Sequence, residues 1–209
     1  GIDIFHIPAI FMVGVDVRGD RAELLEGELN FNYSLGKDCQ RGFQLALGHF
    51  QDMTLFTPEA GLVGIPLEDF YEFERSMQAT GNSEYARIAE IFRIRAEHFA
   101  SSSGNFEVVA RKKLGRSLNI TPKTYAAQDT VIGAYLAHPE WFEVREMPLT
   151  YRGIDGQTKT KDRIKVVTRM TAEGQKQFVP WLWTSIKANF QERDQQAIIP
   201  SPAEEWRQF

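Results

Sequence analysis

Residues 141–170 read as one long β-hairpin, and this feature narrows the folds open to the chain more than any other. Trp141 to Tyr151 is a strand-forming run. In the return strand, Ile164, Val166 and Thr168 alternate with Lys165, Val167 and Arg169, the period of two that separates the faces of a half-buried strand. The intervening Arg152-Gly153-Ile154-Asp155-Gly156-Gln157-Thr158-Lys159 has two glycines and one large apolar residue, the composition of a hairpin tip.

Helical periodicity precedes the hairpin. Ser83 can cap a helix to about Ala100 carrying Tyr85, Ile88, Phe92, Ala96 and Phe99 on one side, and Ser101-Ser102-Ser103-Gly104 predicts its end. Phe106 to Leu114 reads as a second helix stopped by Gly115 at a left-handed C-cap. Thr121-Pro122 predicts the start of a third, from Pro122 to Leu136, with Tyr125, Ile132 and Leu136 on its apolar side and His138-Pro139 beyond it. After the hairpin, Thr171 caps a last helix bearing Val179, Leu182, Ile186 and Phe190, with Pro180 kinking it or shortening its start.

The first 81 residues are mixed. Ile10 to Val17 is β-rich and leads into a turn at Val17-Arg18-Gly19-Asp20. Glu28 to Leu35 alternates as a strand, Lys37 to Phe50 reads as a helix, and Leu62 to Ile65 as a short buried strand. Pro66 opens a helix with Leu67, Phe70, Tyr71 and Met77 in an apolar stripe. Thr80-Gly81-Asn82 breaks the pattern. The expectation is an α+β protein: an N-terminal mixed α/β domain over 1–81 for protein binding or oligomerisation, then a winged-helix-like three-helix plus β-hairpin domain over 82–193, then a flexible tail over 194–209.

An apolar fraction of 43% with 15 Phe is ample for a core. The lone Cys39 allows no intramolecular disulfide and reads as an inert thiol, which suits the cytoplasm. Ile4 to Val17 is interrupted by His6, Pro8 and Asp16 and lacks a basic leader, so neither a membrane span nor a signal peptide is expected. Charge is unevenly spread: residues 1–109 carry 8 Lys/Arg against 17 Asp/Glu, and residues 110–169 carry 12 against 6. A basic block in an acidic chain is a field that attracts phosphate, or a lysine-rich solvated face.

Three helices followed by a hairpin is the element order of a winged helix. Such a module reads bases with its third helix and holds phosphates with its wing. Lys123, Thr124 and Gln128 are placed to approach a groove. Arg152, Lys159, Lys161, Arg163 and Lys165 lie on or beside the wing, and Arg111, Lys112, Lys113 and Arg116 at the turn between helices. Two strings extend the reading. Val167-Thr168-Arg169-Met170-Thr171-Ala172-Glu173-Gly174-Gln175 resembles the "hydrophobic-T-x-x-G" string that follows the wing in many winged-helix regulators. With Tyr135 to Tyr151, it is similar to the KilAC domain at the C-terminus of phage antirepressors, over residues ~105–180. The resemblance implies a DNA-binding regulatory protein from a phage or other mobile element.

Other classes remain open. No catalytic string is present, and no cofactor is expected. His6, His49, His98 and His138 are scattered, and the pairs His49/Asp52 and Glu97/His98 are ordinary helix neighbours. Asp16, Asp20 and Glu23 suit a metal, or more simply a turn with an ion pair. An interaction or assembly protein is the alternative, its basic hairpin solvated surface. Phe70, Tyr71 and Phe73 beside Glu68, Asp69, Glu72 and Glu74 then form an apolar patch in the acidic half, although core packing explains the same residues more simply. Trp181, Trp183 and Trp206 suit an interface, with one or two of them expected in the core, and the last helix suits a dimer.

Overall fold

The computed structural model describes residues 9–26, 30, 34–127 and 129–196. The chain is mixed α+β, as its periodicities predict. Its strands are β1 (Ala9–Arg18), β2 (Arg21–Leu24), β3 (Met53–Phe56), β4 (Val63–Pro66), β5 (Thr124–Ala127), β6 (Phe142–Arg152) and β7 (Thr158–Met170). Its helices are α1 (Lys37–His49), the single turn α2 (Pro58–Gly61), α3 (Leu67–Gln78), α4 (Ser83–Leu114), α5 (Asp129–Ala137) and α6 (Ala172–Gln196), with a 3-10 turn at Pro139–Trp141. Within the described residues, no helix is long and apolar enough to cross a membrane.

Five strands close into a barrel in the order β1-β2-β6-β7-β3. The β6–β7 hairpin forms its longest wall, pairing Arg152 with Thr158 at the tip and Phe142 with Met170 at the base. The pairs β1–β3, β2–β6 and β3–β7 are parallel. The barrel therefore takes strands from both sides of the expected 81/82 boundary, which falls in the turn between α3 and α4. Its interior holds Val15, Leu55, Met147, Leu149, Ile164 and Val166, and Phe43 and Leu47 of α1 pack against it. Val166 and Val167 face opposite sides of β7 and are both buried, and the register shifts just beyond them at half-buried Thr168. Val167 packs with Phe56, Phe142 and Phe178 in a second cluster outside the barrel, and the extra residue at Thr168 brings Met170, three positions on, to the same side.

Three expectations for residues 83–136 give way. A single 32-residue helix replaces the two expected, running through Ser101–Gly104 before Gly115 ends it at φ 70°. Asn82 rather than Ser83 is the N-cap, accepting from the N–H of Glu84 and Tyr85. The helix expected from Pro122 is instead β5, hydrogen-bonded antiparallel to β4, and α5 begins at Asp129. Tertiary pairing explains this: Val63 and Ile65 of β4 pair with Ala127 and Tyr125, and the sheet outweighs the capping signal at Thr121-Pro122. The strand expected over Glu28–Leu35 lies mostly outside the described residues, and Ser34 is helical. Pro180 lies inside α6.

Candidate functional site

The predicted phosphate-binding cations are dispersed and mostly paired. Arg163 meets Glu146 across the hairpin at 2.5 Å, Lys165 meets Asp52 at 3.0 Å, and Lys159 meets Asp155 at 3.2 Å. Each bond favours the charged partners: the Arg163 hydrogen bond lowers the Glu146 pKa, and the Asp52 hydrogen bond raises that of Lys165. Lys161 donates to the carbonyls of Leu47 and Phe50 at 2.8 and 2.9 Å, closing the C-terminus of α1. Arg169 pairs with Glu143 at 2.7 Å. The hairpin surface is thus a lattice of both signs rather than a cationic stripe.

The remaining predicted contacts scatter. Arg111 bonds Glu107 at 2.7 Å, and Lys113 Nζ lies 3.4 Å from the Glu26 carbonyl. Thr124 is half-buried on β5 with its hydroxyl donating to the Thr121 carbonyl, on no recognition helix. Lys112, Lys123 and Arg152 are exposed and make no ion pair among the described residues. Gln128 lies outside the described residues, as do His6 and Trp206.

Arg116 is an inward-reaching bridge. It donates to Asp16, 2.6 Å away on β1, and to Glu59 on α2, and these hydrogen bonds, that to Glu59 foremost, hold its pKa above the ordinary range. Asp16 is 4% exposed and also meets Arg18 at 3.2 Å, an ion pair beside the turn at Gly19-Asp20, as Asp16-Val17-Arg18-Gly19-Asp20 suggests. Among the described residues, no three His, Cys, Asp or Glu side chains stand close enough to hold a metal. His49 Nδ1 lies 2.7 Å from its own helix's Leu45 carbonyl, and Cys39 is exposed.

Of the two readings of the α3 aromatics, core and exposed patch, the residues follow the first and turn inward. Phe70 and Phe73 are 7% and 2% exposed, and Tyr71 donates to Glu97 of α4. Arg93 joins Glu74 at 2.7 Å and Glu97 at 2.8 Å, clamping the two helices. Between α4 and α6 this packing leaves a groove of about 590 Å³. Ile88, Phe92, Arg95 and Ala96 form one wall, Leu182, Trp183, Ile186, Asn189 and Phe190 the other, and Ile65, Phe70 and Tyr125 line it from β4, α3 and β5. Edge-to-face contacts at 5.1 Å for Phe70–Trp183 and 4.7 Å for Tyr85–Phe190 set the rings, and Tyr85 donates to the Phe190 carbonyl. Arg95 stands 5.0 Å over the Phe99 ring.

Ile88, Phe92, Ala96 and Phe99 were visible in the sequence as a helix stripe facing a core. The stripe is split instead. Ala96 is buried, whereas Phe92 and Phe99 are 38% and 41% exposed, and Ile91 and Ile94 beside them are 52% and 50% exposed. The signal was the width of the apolar arc, which exceeds what α3 and α6 cover. No family model matches the chain, and comparison with curated proteins and with solved structures yields no match.

Proposed function

We propose that this is an interaction protein that receives a partner chain along the α4–α6 groove, with the hairpin a charge-paired solvated face. The observation that carries this reading is the apolar, aromatic groove continuing onto exposed Ile91 and Ile94. A surface of this kind loses unfavourable hydration when a partner covers it, and aromatic anchors in a cleft concentrate binding energy. The second reading, a winged-helix DNA-binding regulator, draws on the long hairpin and on Lys112, Lys123 and Arg152, exposed cations without an ion pair among the described residues. Replacing Phe92 with a photo-crosslinking phenylalanine, in cells that normally produce the protein, tests the first reading. Protein adducts are expected at position 92, lost on Trp183→Ala, and none at position 159 on the hairpin. Equal labelling at both positions, or none at 92, would overturn it.

A further inference from the structure

Along the outer side of α4, Glu84, Ile88, Ile91, Arg95 and His98 recur at spacings of four, three, four and three residues. This is the heptad spacing of a helix–helix seam. At ~100° per residue the five fall within a stripe ~80° wide, about 120° around the helix from the buried Tyr85, Ala89, Ala96 and Ala100. The seam therefore points away from the protein's own core. Glu84, Ile91 and Arg95 are exposed and Ile88 is half-buried. Among the described residues, neither Glu84 nor Arg95 has an ion-pair partner.

We infer that α4 pairs antiparallel with the α4 of a second copy across a two-fold axis. This rests on the interaction reading above and names a second copy as the partner that covers the α4 rim of the groove, where Ile88 and Arg95 belong to both surfaces. In an antiparallel pair, seam positions whose numbers have a constant sum face one another. Centring the axis between Ile88 and Ile91 sets each against the other from the partner copy, and the same register sets Glu84 against Arg95 at both ends. The seam is thus self-complementary in shape and in charge, as a two-fold interface requires. A parallel pair would oppose Glu84 to Glu84 and Arg95 to Arg95, so the charges select orientation as well as register. Phe92 and Ile94 flank the seam on opposite sides, and both are covered in this arrangement.

Sedimentation velocity of the full chain from ~1 to ~200 μM tests the pairing, a range suited to a small interface. Association that rises with concentration is expected. Glu84→Arg should weaken it at least tenfold, and Glu84→Arg with Arg95→Glu should restore it to within about threefold. Ile91→Asp should abolish it while the far-UV spectrum and melting temperature are retained. A monomer at every concentration overturns the pairing, as does a dimer indifferent to both Glu84→Arg and Ile91→Asp. A monomer whose position-92 crosslinker still captures other chains removes the second copy and leaves the interaction reading standing. A monomer without adducts removes both.

Discussion

Arg116 and Glu107 show how single side chains bind the loop after α4 to the rest of the molecule. Burial pushes the Glu107 carboxyl up, but hydrogen bonds from Ser117, Arg111 and the N–H groups of Leu118 and Ile120 outweigh it, so its pKa falls from an ordinary 4.5 to about 2. A depressed carboxylate pKa contributes stability above its unfolded value that is lost as pH falls towards the folded one. Glu107→Gln should therefore cost roughly 1–3 kcal/mol at neutral pH. Urea titrations should show the gap to the parent closing between pH ~4.5 and ~2, and a constant gap would refute the account. Gly174 carries a different constraint. A Cβ there would lie 2.6 Å from the Trp141 carbonyl oxygen and 2.7 Å from Met170. Gly174→Ala should lower stability by about 1–3 kcal/mol in the same assay. The glycine of the regulator-like string thus has a packing role here, where α6 crosses the base of the hairpin.

At the scale of elements, α4 outlasts its apparent stop signal because helix ends answer to context. Ser101 donates to its own helix's His98 carbonyl, and Gly115 supplies the left-handed residue that ends the helix. The short α2 depends on one side chain. Thr57 is 3% exposed, accepts from the Ala60 N–H, and donates to the Thr168 carbonyl at 2.7 Å. It caps α2 and ties it to the β7 bulge. Thr57→Val should cost about 1–2 kcal/mol by chemical denaturation, while Thr57→Ser should retain most of the stability. A loss of equal size in Thr57→Ser would assign the effect to packing of the methyl group.

At the scale of the molecule, the barrel couples β1, β2 and β3 to the distant β6–β7 hairpin. β7 is hydrogen-bonded to β3 through Thr54–Lys165 to Phe56–Val167, and β2 to β6 through Ala22–Leu149 and Glu23–Thr150. A fragment of residues 82–209 lacks β1, β2 and β3, exposing two edges and the interior residues between them. It should show no cooperative thermal transition, whereas the whole chain should show one. Charge distribution makes a second prediction. With Lys159, Arg163 and Lys165 paired to carboxylates, anisotropy with a random duplex should show weak binding and a shallow change between ~50 and ~200 mM salt. Several free phosphate contacts would instead give a loss of orders of magnitude. A steep slope would favour the DNA-binding reading.

The sequence by itself determined the elements whose signals are local. Alternation and two tip glycines specify the β6–β7 hairpin, Gly115 marks the end of α4, and Lys37–Phe50 folds nearly as read because its neighbours in sequence are its neighbours in space. Tertiary structure alone decided the rest. β5 is a strand because β4 pairs with it some sixty residues away, and the barrel closes through parallel pairs for which no adjacent residues code. The candidate groove was legible only as apolar arcs on two helices. Whether such an arc is core or surface depends on which other elements cover it, and on α4 the covering stops at Phe92. The paired cations follow the same logic: Lys165 and Asp52 are distant in sequence and meet because β3 lies beside β7.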